Sequence, residues 1–282
     1  MSADSTPRGS SRQVSDSRQQ VERACREFQR LLLPSAPSDA EGLDRFAVSL
    51  VAEWRGLSSA ETLAMEPNEN GRAWKAFVPD EDLATAEQVG RYYAESRRPV
   101  LSELRQWTRI GAPAYLRWLS IDVARRLRAE SVFDFGGSVG AVTSAAASAG
   151  FPRVVLFETS KEELDFARWR DARLGIPPPE YAGSGDLSGY SGQFDFGSCF
   201  EVLEHVWDVE GAVQALYGLL KPGGVLMLTC SFGLYPHPEH LKRNVRHHGH
   251  ELDLFRDAGF QPVTIAGVGI RYPTMWFLRK PA

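Results

Sequence analysis

The run from Val132 to Gly140 (VFDFGGSVG) constrains the fold more than any other segment, because an apolar strand end passes over small residues into a helix. An acid, Asp134, precedes the small residues, and an alanine-rich stretch from Ala141 to Ala149 follows them. Glycines in such a turn let a ligand lie against bare backbone at the start of the helix. The run therefore predicts a ligand-binding strand–turn–helix unit in an α/β fold.

The residues of this run leave two other interpretations open. A dinucleotide site would have the pattern Gly-x-Gly-x-x-Gly, but Ser138 stands where the second glycine should let a pyrophosphate approach. The carboxylate of Asp134, which precedes the glycines, would not bind a pyrophosphate, whereas it could bind an ammonium group. The other interpretation is a βα turn that carries small residues for structural reasons alone.

Two further strand ends carry acids. Arg153 to Glu158 is an apolar strand that ends in a carboxylate, and this position binds the two hydroxyls of a ribose in Rossmann-like folds. Asp186 and Leu187 follow Tyr181, which is expected near the end of a third strand. Acids at successive strand ends predict a nucleoside ligand.

The next segments continue the alternation of strand and helix. Gln193 to Phe200 is predicted to be a fourth strand that runs into Glu201-Val-Leu-Glu-His205. Leu220 to Leu228 reads as a helix end, a Lys-Pro-Gly-Gly turn and a fifth strand.

In this order and spacing the segments resemble the class I S-adenosylmethionine (SAM) methyltransferases over about residues 120–282. Their first motif is Asp/Glu-x-Gly-x-Gly-x-Gly, and Ser138 replaces its middle glycine. The resemblance implies an α/β fold with a seven-stranded Rossmann-like sheet, helices on both faces and SAM as cofactor. The residues expected at the cofactor are Asp134, Gly136, Gly137, Ser138, Gly140, Phe157, Glu158, Asp186, Leu187, Phe200 and Glu201.

The carboxyl-terminal segments fit the same topology. Gln261 to Val268 and Ile270 to Arg279 are predicted as strands six and seven, joined by a short turn at Gly267–Gly269. Before them, Arg256 to Phe260 reads as a helix end closed by Gly259.

Composition excludes several classes of protein. The net charge of −4 argues against a nucleic-acid groove, and no apolar run approaches the roughly 18 residues of a membrane span. Residues 1–20 are polar and lack the apolar core of a signal peptide, so we expect a disordered tail and a cytoplasmic protein. The three cysteines form no disulfide framework. The expected partner is a small molecule, and a homodimer is one alternative for the oligomeric state.

About 100 residues between the tail and the nucleotide fold are predicted to form a helical cap over residues 21–118, with the SAM-binding domain at 119–282. Apolar residues recur at helical spacing in four stretches. These are Val21–Leu33, Gly42–Arg55, Asp80–Glu95 and Pro99–Ile110. The segment from Glu66 to Pro79 is predicted to be a loop, and a helix over Asp122–Arg128 to pack on the sheet.

The cap is rich in aromatic side chains, for which core packing and ligand contact are both open. Tyr92 and Tyr93 are the candidates for ligand contact, because adjacent helix positions point about 100° apart and one of them can face inward.

Methyl transfer needs alignment of the acceptor and, for a protonated acceptor, a base. His205 follows the fourth strand and is the candidate base, although it can equally cap a helix. Glu201 and Glu204 precede His205 on the same predicted short helix, and Glu201 is expected nearer the pocket. In the loop after the fifth strand, His237, Glu239 and His240 are candidate substrate or base residues.

Five histidines lie between residues 237 and 250. We expect no metal there, because Pro238 breaks a helical pair of His237 and His240 and no cysteine lies nearby. His247 to His250 are expected to be exposed.

The predicted function is SAM-dependent methylation of a small-molecule acceptor, in specialised metabolism. The residues do not choose among oxygen, nitrogen and carbon as the acceptor atom. One alternative is an enzyme that consumes SAM itself, closing its aminobutyrate arm to an azetidine amino acid with release of methylthioadenosine, or that uses SAM without methylating. Another is a non-catalytic scaffold with this fold.

Overall fold

The computed structural model describes residues 9–65, 70–96, 99–185, 187–233, 237, 239–268 and 274–282. Its centre is a seven-stranded sheet in the order β3-β2-β1-β4-β5-β7-β6. The strands are β1 (Ser131–Phe135), β2 (Arg153–Glu158), β3 (Glu180–Gly183), β4 (Phe194–Phe200), β5 (Leu220–Thr229), β6 (Gln261–Pro262) and β7 (Met275–Arg279). Strands β1 to β5 are parallel, and β7 is antiparallel to both neighbours.

The helices are α1 (Gly9–Leu32), α2 (Ala40–Arg55), α3 (Ser59–Met65), α4 (Asn70–Phe77), α5 (Ala86–Glu95), α6 (Val100–Thr108), α7 (Ala112–Arg126), α8 (Ala141–Ser148), α9 (Lys161–Leu174), α10 (Val209–Leu219) and α11 (Glu251–Asp257). Short 3-10 helices cover Glu81–Leu83, Ser188–Tyr190, Leu203–His205 and Lys242–His247. No helix of the described residues is long and apolar enough to cross a membrane.

Helices cover both faces of the sheet, because successive residues of each buried strand point to opposite sides. Phe133 packs with residues of α10 and α11 on one face, whereas Val132 packs with residues of α7 and α8 on the other. Gly197 on β4 admits the Phe133 ring, since a Cβ there would lie 2.2 Å from its Cζ atom. The predicted sheet with helices on both faces is confirmed.

The order of the strands reverses between β1 and β4, because β1 pairs with β2 on one side and with β4 on the other. Crevices at such a switch point lie beyond the carboxyl ends of the strands and are where open α/β sheets bind ligands. The turn after β1, the end of β2 and the end of β4 all meet there.

The amino-terminal helices form two groups that pack in different places. Residues of α1, α2 and α6 share one apolar core with α7, α8 and α9. Within this group, Arg105 of α6 donates two hydrogen bonds to Asp44 of α2, at 2.7 and 2.6 Å. Helices α4 and α5 instead form a small cluster around Trp74 and Tyr92, which contacts Trp207 and Leu241 after β4 and β5. This second group therefore lies beside the carboxyl ends of β4 and β5.

Several expected boundaries are corrected. Helix α1 begins at Gly9 rather than Val21, so it includes residues expected in the tail. The loop expected over residues 66–79 contains α4, and α7 begins at Ala112, so the division expected at residue 118 falls inside a helix. Strand β6 ends at Pro262 instead of Val268. Residues 269–273, which include part of the predicted turn and the start of strand seven, lie outside the described residues.

Candidate active site

The turn after β1 is held in a left-handed backbone conformation at three positions. Gly136, Ser138 and Gly140 have φ angles of 67°, 51° and 70°. A Cβ on Gly137 would lie 2.4 Å from a carboxylate oxygen of Asp134, so this position also requires glycine. The glycines are therefore required by the backbone conformation of the turn. The left-handed φ of Ser138 costs a non-glycine residue about 1–2 kcal/mol.

The Ser138 hydroxyl offsets this strain by donating to the buried carboxylate of Glu163, at 2.6 Å. The backbone N–H of Ser138 donates to Glu158 at 2.8 Å. Glu158 also accepts from the N–H groups of Thr159 and Ser160, so its carboxylate joins the end of β2 to the turn. The replacement of the family glycine is thus accommodated within the protein.

Asp134 lies beneath the turn and is 3% exposed. Burial raises its pKa from 3.8 to about 7, although a 2.6 Å hydrogen bond from Ser198 and the charge of Arg117 act in the opposite direction. Contact between this carboxyl group and an ammonium of the ligand stays a prediction.

A fully buried ion pair supports the turn from α9. Arg170 and Asp171 are both 0% exposed, and the Arg170 guanidinium donates to the carbonyl oxygen of Val139 at 2.7 Å and to that of Gly140 at 3.4 Å. Asp171 in turn accepts from Ser144 of α8 and from Tyr181 of β3, each at about 2.8 Å. This network links the turn to β3, the strand that precedes the predicted cofactor residues Asp186 and Leu187. Nothing in the sequence pattern distinguishes these charges from those of an exposed helix face.

The remaining predicted cofactor residues have different positions. Phe157 is 0% exposed, and its ring packs on Phe133 and Tyr190, so its side chain does not line the crevice. Leu187 is partly buried, and Asp186 lies outside the described residues. Phe200, at the end of β4, has the Arg117 guanidinium 4.6 Å from its ring centre.

Two glutamates follow β4 and share the serine after β5. Ser231 donates from its hydroxyl to Glu201 at 2.5 Å and from its N–H to Glu204 at 3.1 Å. Burial, together with the charge of Glu201, raises the pKa of Glu204 well above its ordinary value. Glu201 has a φ of 53°, and its carboxyl group is in hydrogen-bond contact with that of Glu204, which the raised pKa of Glu204 allows to act as the donor.

These positions fit SAM, the cofactor that the resemblance implies. The Glu158 carboxylate at the end of β2 lies where a ribose is bound in Rossmann-like folds, and it is joined to the left-handed turn at Gly136–Gly140 by the Ser138 N–H. At the end of β3, a Cβ on Gly183 or Gly185 would meet nothing within 4 Å, so there is open space beside these two glycines.

Three histidine rings meet beside Glu204. The His205 ring centre lies 4.8 Å from that of His240 and 6.0 Å from that of His237. His205 Nδ1 is 3.0 Å from the backbone oxygen of Glu239, which can only accept, so Nδ1 carries the hydrogen and Nε2 the lone pair. Burial and the neighbouring histidines lower the pKa of His205 to about 4, against the charge of Glu239. The ring is therefore neutral at pH 7.

Both predicted cap tyrosines contact the same carboxylate. The Tyr92 hydroxyl donates to Glu239 at 2.6 Å, and the Tyr93 hydroxyl donates to its other oxygen at 3.3 Å. Tyr92 and Glu239 are buried, at 1% and 4% exposure. The Tyr93 ring also lies against His205, with the centres 6.2 Å apart. The structure thus brings together all four predicted catalytic residues, Tyr92, Tyr93, His205 and His240, and Glu239, also predicted at this site, contacts the first three of them.

Glu204, His205 and His240 each place one possible ligand atom within 4.8 Å of the others. Two imidazoles and a carboxylate are a ligand set that divalent cations accept. The absence of a metal therefore stays a prediction, to be tested by chelation. His247, expected to be exposed, is instead buried against Phe232.

Comparisons with known proteins identify the family to which the chain belongs. A family model described as a methyltransferase domain matches residues 112–265, which is more than half of the chain. The ubiquinone biosynthesis O-methyltransferase of Bordetella avium is 32% identical over 119 residues, which are 40% of this chain and 46% of that protein. The chain thus spans about half the length of this relative.

The corresponding protein of Chromobacterium violaceum is 27% identical over 178 residues, 53% of this chain and 76% of that protein. Among solved structures, geranyl diphosphate methyltransferase in complex with GPP and sinefungin is 14% identical, with a TM-score of 0.50, and the match covers 69% of this chain and 99% of that chain. That similarity supports the fold. The chain therefore belongs to the class I SAM-dependent methyltransferase family.

Proposed function

We propose that this protein transfers the methyl group of SAM to a hydroxyl group of a small-molecule acceptor, which we expect to belong to specialised metabolism. The observation that carries the proposal is the neutral His205 ring, whose Nδ1–H is fixed by the Glu239 backbone oxygen and whose Nε2 lone pair is left for a proton. The named relatives, which are O-methyltransferases, support oxygen as the acceptor atom.

In this proposal, bound SAM supplies a methyl group that is already activated on a sulfonium. Asp134 would face its ammonium group, and the turn at Gly136–Gly140 with Glu158 would hold its nucleoside. When an acceptor oxygen takes the methyl group, His205 Nε2 would accept the proton that the acceptor loses. His205 then releases this proton to solvent, since a pKa of about 4 does not retain it at pH 7.

Tyr92 and Tyr93 act as positioning residues. Their hydroxyls fix the Glu239 carboxylate, and the backbone oxygen of the same residue fixes the His205 ring. A base that is held in one orientation needs no reorganisation when the acceptor proton departs.

The test is product analysis with SAM labelled in its methyl group and a panel of phenols and alcohols. S-adenosylhomocysteine together with a labelled methyl ether supports the proposal. Methylthioadenosine together with an azetidine amino acid, formed from SAM alone in excess of an enzyme-free blank, would show cyclisation of the cofactor and refute methyl transfer. Calorimetry that finds no SAM binding would indicate the scaffold alternative.

His205→Gln tests the base. It should lower kcat by about 100-fold or more while the Kd for S-adenosylhomocysteine changes little, because His205 is not assigned to the cofactor. His250→Gln is the matched control, since His250 is exposed. Activity that is lost with EDTA and restored by a divalent cation would instead assign Glu204, His205 and His240 to a metal.

A further inference from the structure

The Glu158 carboxylate, at the end of β2, already accepts three hydrogen bonds from the backbone. Its Oε1 accepts from the N–H groups of Thr159 and Ser160, at 2.7 and 2.9 Å. Its Oε2 accepts from the N–H group of Ser138, at 2.8 Å. Glu158 is 7% exposed, so little of this side chain is open to a ligand.

These three donors leave the carboxylate with a single acceptor position. A carboxylate offers about four positions to hydrogen-bond donors, two on each oxygen. The N–H groups of Thr159 and Ser160 fill both positions of Oε1, and the N–H group of Ser138 takes one of the two on Oε2. A ribose has two neighbouring hydroxyls, and one carboxylate that binds both of them needs two acceptor positions. Glu158 therefore has a place for only one of the two.

The carboxylate cannot turn toward a ribose without losing bonds that it already makes. Its donors lie on two separate segments, because Thr159 and Ser160 join β2 to α9 and Ser138 is in the left-handed turn after β1. Ser160 is also the N-cap of α9, since its hydroxyl accepts from the N–H group of Glu163 at 3.3 Å. Freeing Oε1 would give up two charge-assisted hydrogen bonds to gain one from a hydroxyl. We therefore expect the same arrangement when a ligand is bound.

We propose that Glu158 binds the ribose of SAM through Oε2 alone, so that one of the two ribose hydroxyls contributes to affinity and the other can be removed. This inference rests on SAM as the cofactor of the proposed function. It differs from the expectation from the sequence, in which the acid at the end of the second strand binds both hydroxyls of the ribose.

The test measures the Kd of three ligands by calorimetry with the full-length wild-type protein. The ligands are S-adenosylhomocysteine and its 2′-deoxy and 3′-deoxy derivatives. One derivative should bind about tenfold or more weakly than the parent, because a hydrogen bond to a charged group is lost, and the other should stay within about threefold. A loss of about tenfold or more for both derivatives overturns the proposal, and so does a pair of derivatives that both bind within about threefold of the parent.

Glu158→Gln tests whether this side chain makes the contact. The amide oxygen can keep the bonds from Thr159 and Ser160, but the variant has no charged acceptor for a ribose hydroxyl. The ratio of Kd between the sensitive derivative and the parent should therefore fall to within about threefold, whereas an unchanged ratio would assign that hydroxyl to another group and overturn the proposal. Asp165→Asn is the matched control, because Asp165 is on α9 and pairs with Arg168 at the surface, so the ratio should stay that of the wild type.

Binding of the parent ligand separates this inference from the proposed function. If S-adenosylhomocysteine binds and SAM yields a methyl ether while both hydroxyls prove equally important, the assignment of the ribose contact is wrong and methyl transfer stands. If S-adenosylhomocysteine does not bind to the folded wild-type protein, the proposed function fails and this inference fails with it.

Discussion

The buried carboxyl group of Asp134 should make the stability of the unliganded protein depend on pH in a direction opposite to that of most carboxylates. Its pKa is about 7 in the folded protein and 3.8 as the ordinary value. The folded state therefore binds this proton more tightly than the unfolded state does. As the pH rises from about 4 to 7, the folded protein must give up the proton and leave a charge under the turn, so this group lowers the free energy of unfolding.

Asp134→Asn removes this effect while keeping an oxygen that can accept from Ser198. At 1.36 kcal/mol per pKa unit, the difference between 3.8 and about 7 corresponds to about 4 kcal/mol, as an upper limit reached above pH 7. The variant should therefore gain stability over the wild type as the pH is raised, by most of this amount between pH 5 and pH 8.

Urea unfolding of both proteins at pH 5, 6, 7 and 8, without cofactor, measures the difference at each pH. Asp195→Asn is the control. Burial raises the pKa of Asp195, but hydrogen bonds from Lys221 and Ser131 outweigh it and bring the pKa to about 2, so this carboxylate is ionised throughout that range and its difference from wild type should be constant. An Asp134→Asn difference that is equally flat would refute the raised pKa.

Three further predictions concern other parts of the site. Arg170→Met should destabilise the protein by about 3–5 kcal/mol in urea unfolding and weaken S-adenosylhomocysteine binding, because it leaves Asp171 buried without its partner, whereas the exposed Arg168→Met should cost under about 1 kcal/mol. Ser138→Gly should change the Kd for S-adenosylhomocysteine by less than about threefold, since its hydroxyl is bound to Glu163; loss of binding in calorimetry would show that the hydroxyl reaches the cofactor instead. As the pH falls from 6.5 to about 4, the free energy of unfolding of the wild type should decrease by up to about 3 kcal/mol more than that of the His205→Gln variant. The reason is that the unfolded chain protonates this histidine in that range and the folded protein does not. Parallel stability curves for the two proteins in an acid titration would contradict this.

The sheet could be predicted because its signals are local. Strands β1, β2 and β4 are buried, mainly apolar runs with an acid at or near their ends, and buried parallel strands need apolar residues on both faces. Strand β6 was predicted too long because Val263 and Ile265 are apolar residues that pack beyond the strand. Helix α4 was missed because its flanks carry Pro and Asn, while its formation depends on Trp74 packing against Tyr92, a contact made in the tertiary structure.

The candidate site was predictable only where a motif marks it. His205 and Tyr92 were found from their positions, but their shared contact with Glu239 joins segments that are far apart in sequence, and no periodicity reports it. Phe157 was predicted at the cofactor, but its side chain packs in the core, because a strand end has two faces and the motif does not determine which face a side chain occupies. The burial of the Arg170–Asp171 pair could not be predicted from the sequence, since charged residues on a helix are usually exposed to solvent.

The division of the amino-terminal helices into two packing groups determines how the enzyme can exchange its ligands. The group of α1, α2 and α6 is continuous with the main core, so it stays in place during turnover. The α4–α5 group rests on one small apolar cluster, the Lys242–Asp82 pair and the two tyrosine bonds to Glu239. We therefore expect the α4–α5 group to open locally at a lower free-energy cost than the group of α1, α2 and α6, which would let the acceptor side of the crevice exchange its ligand while the turn after β1 keeps its shape.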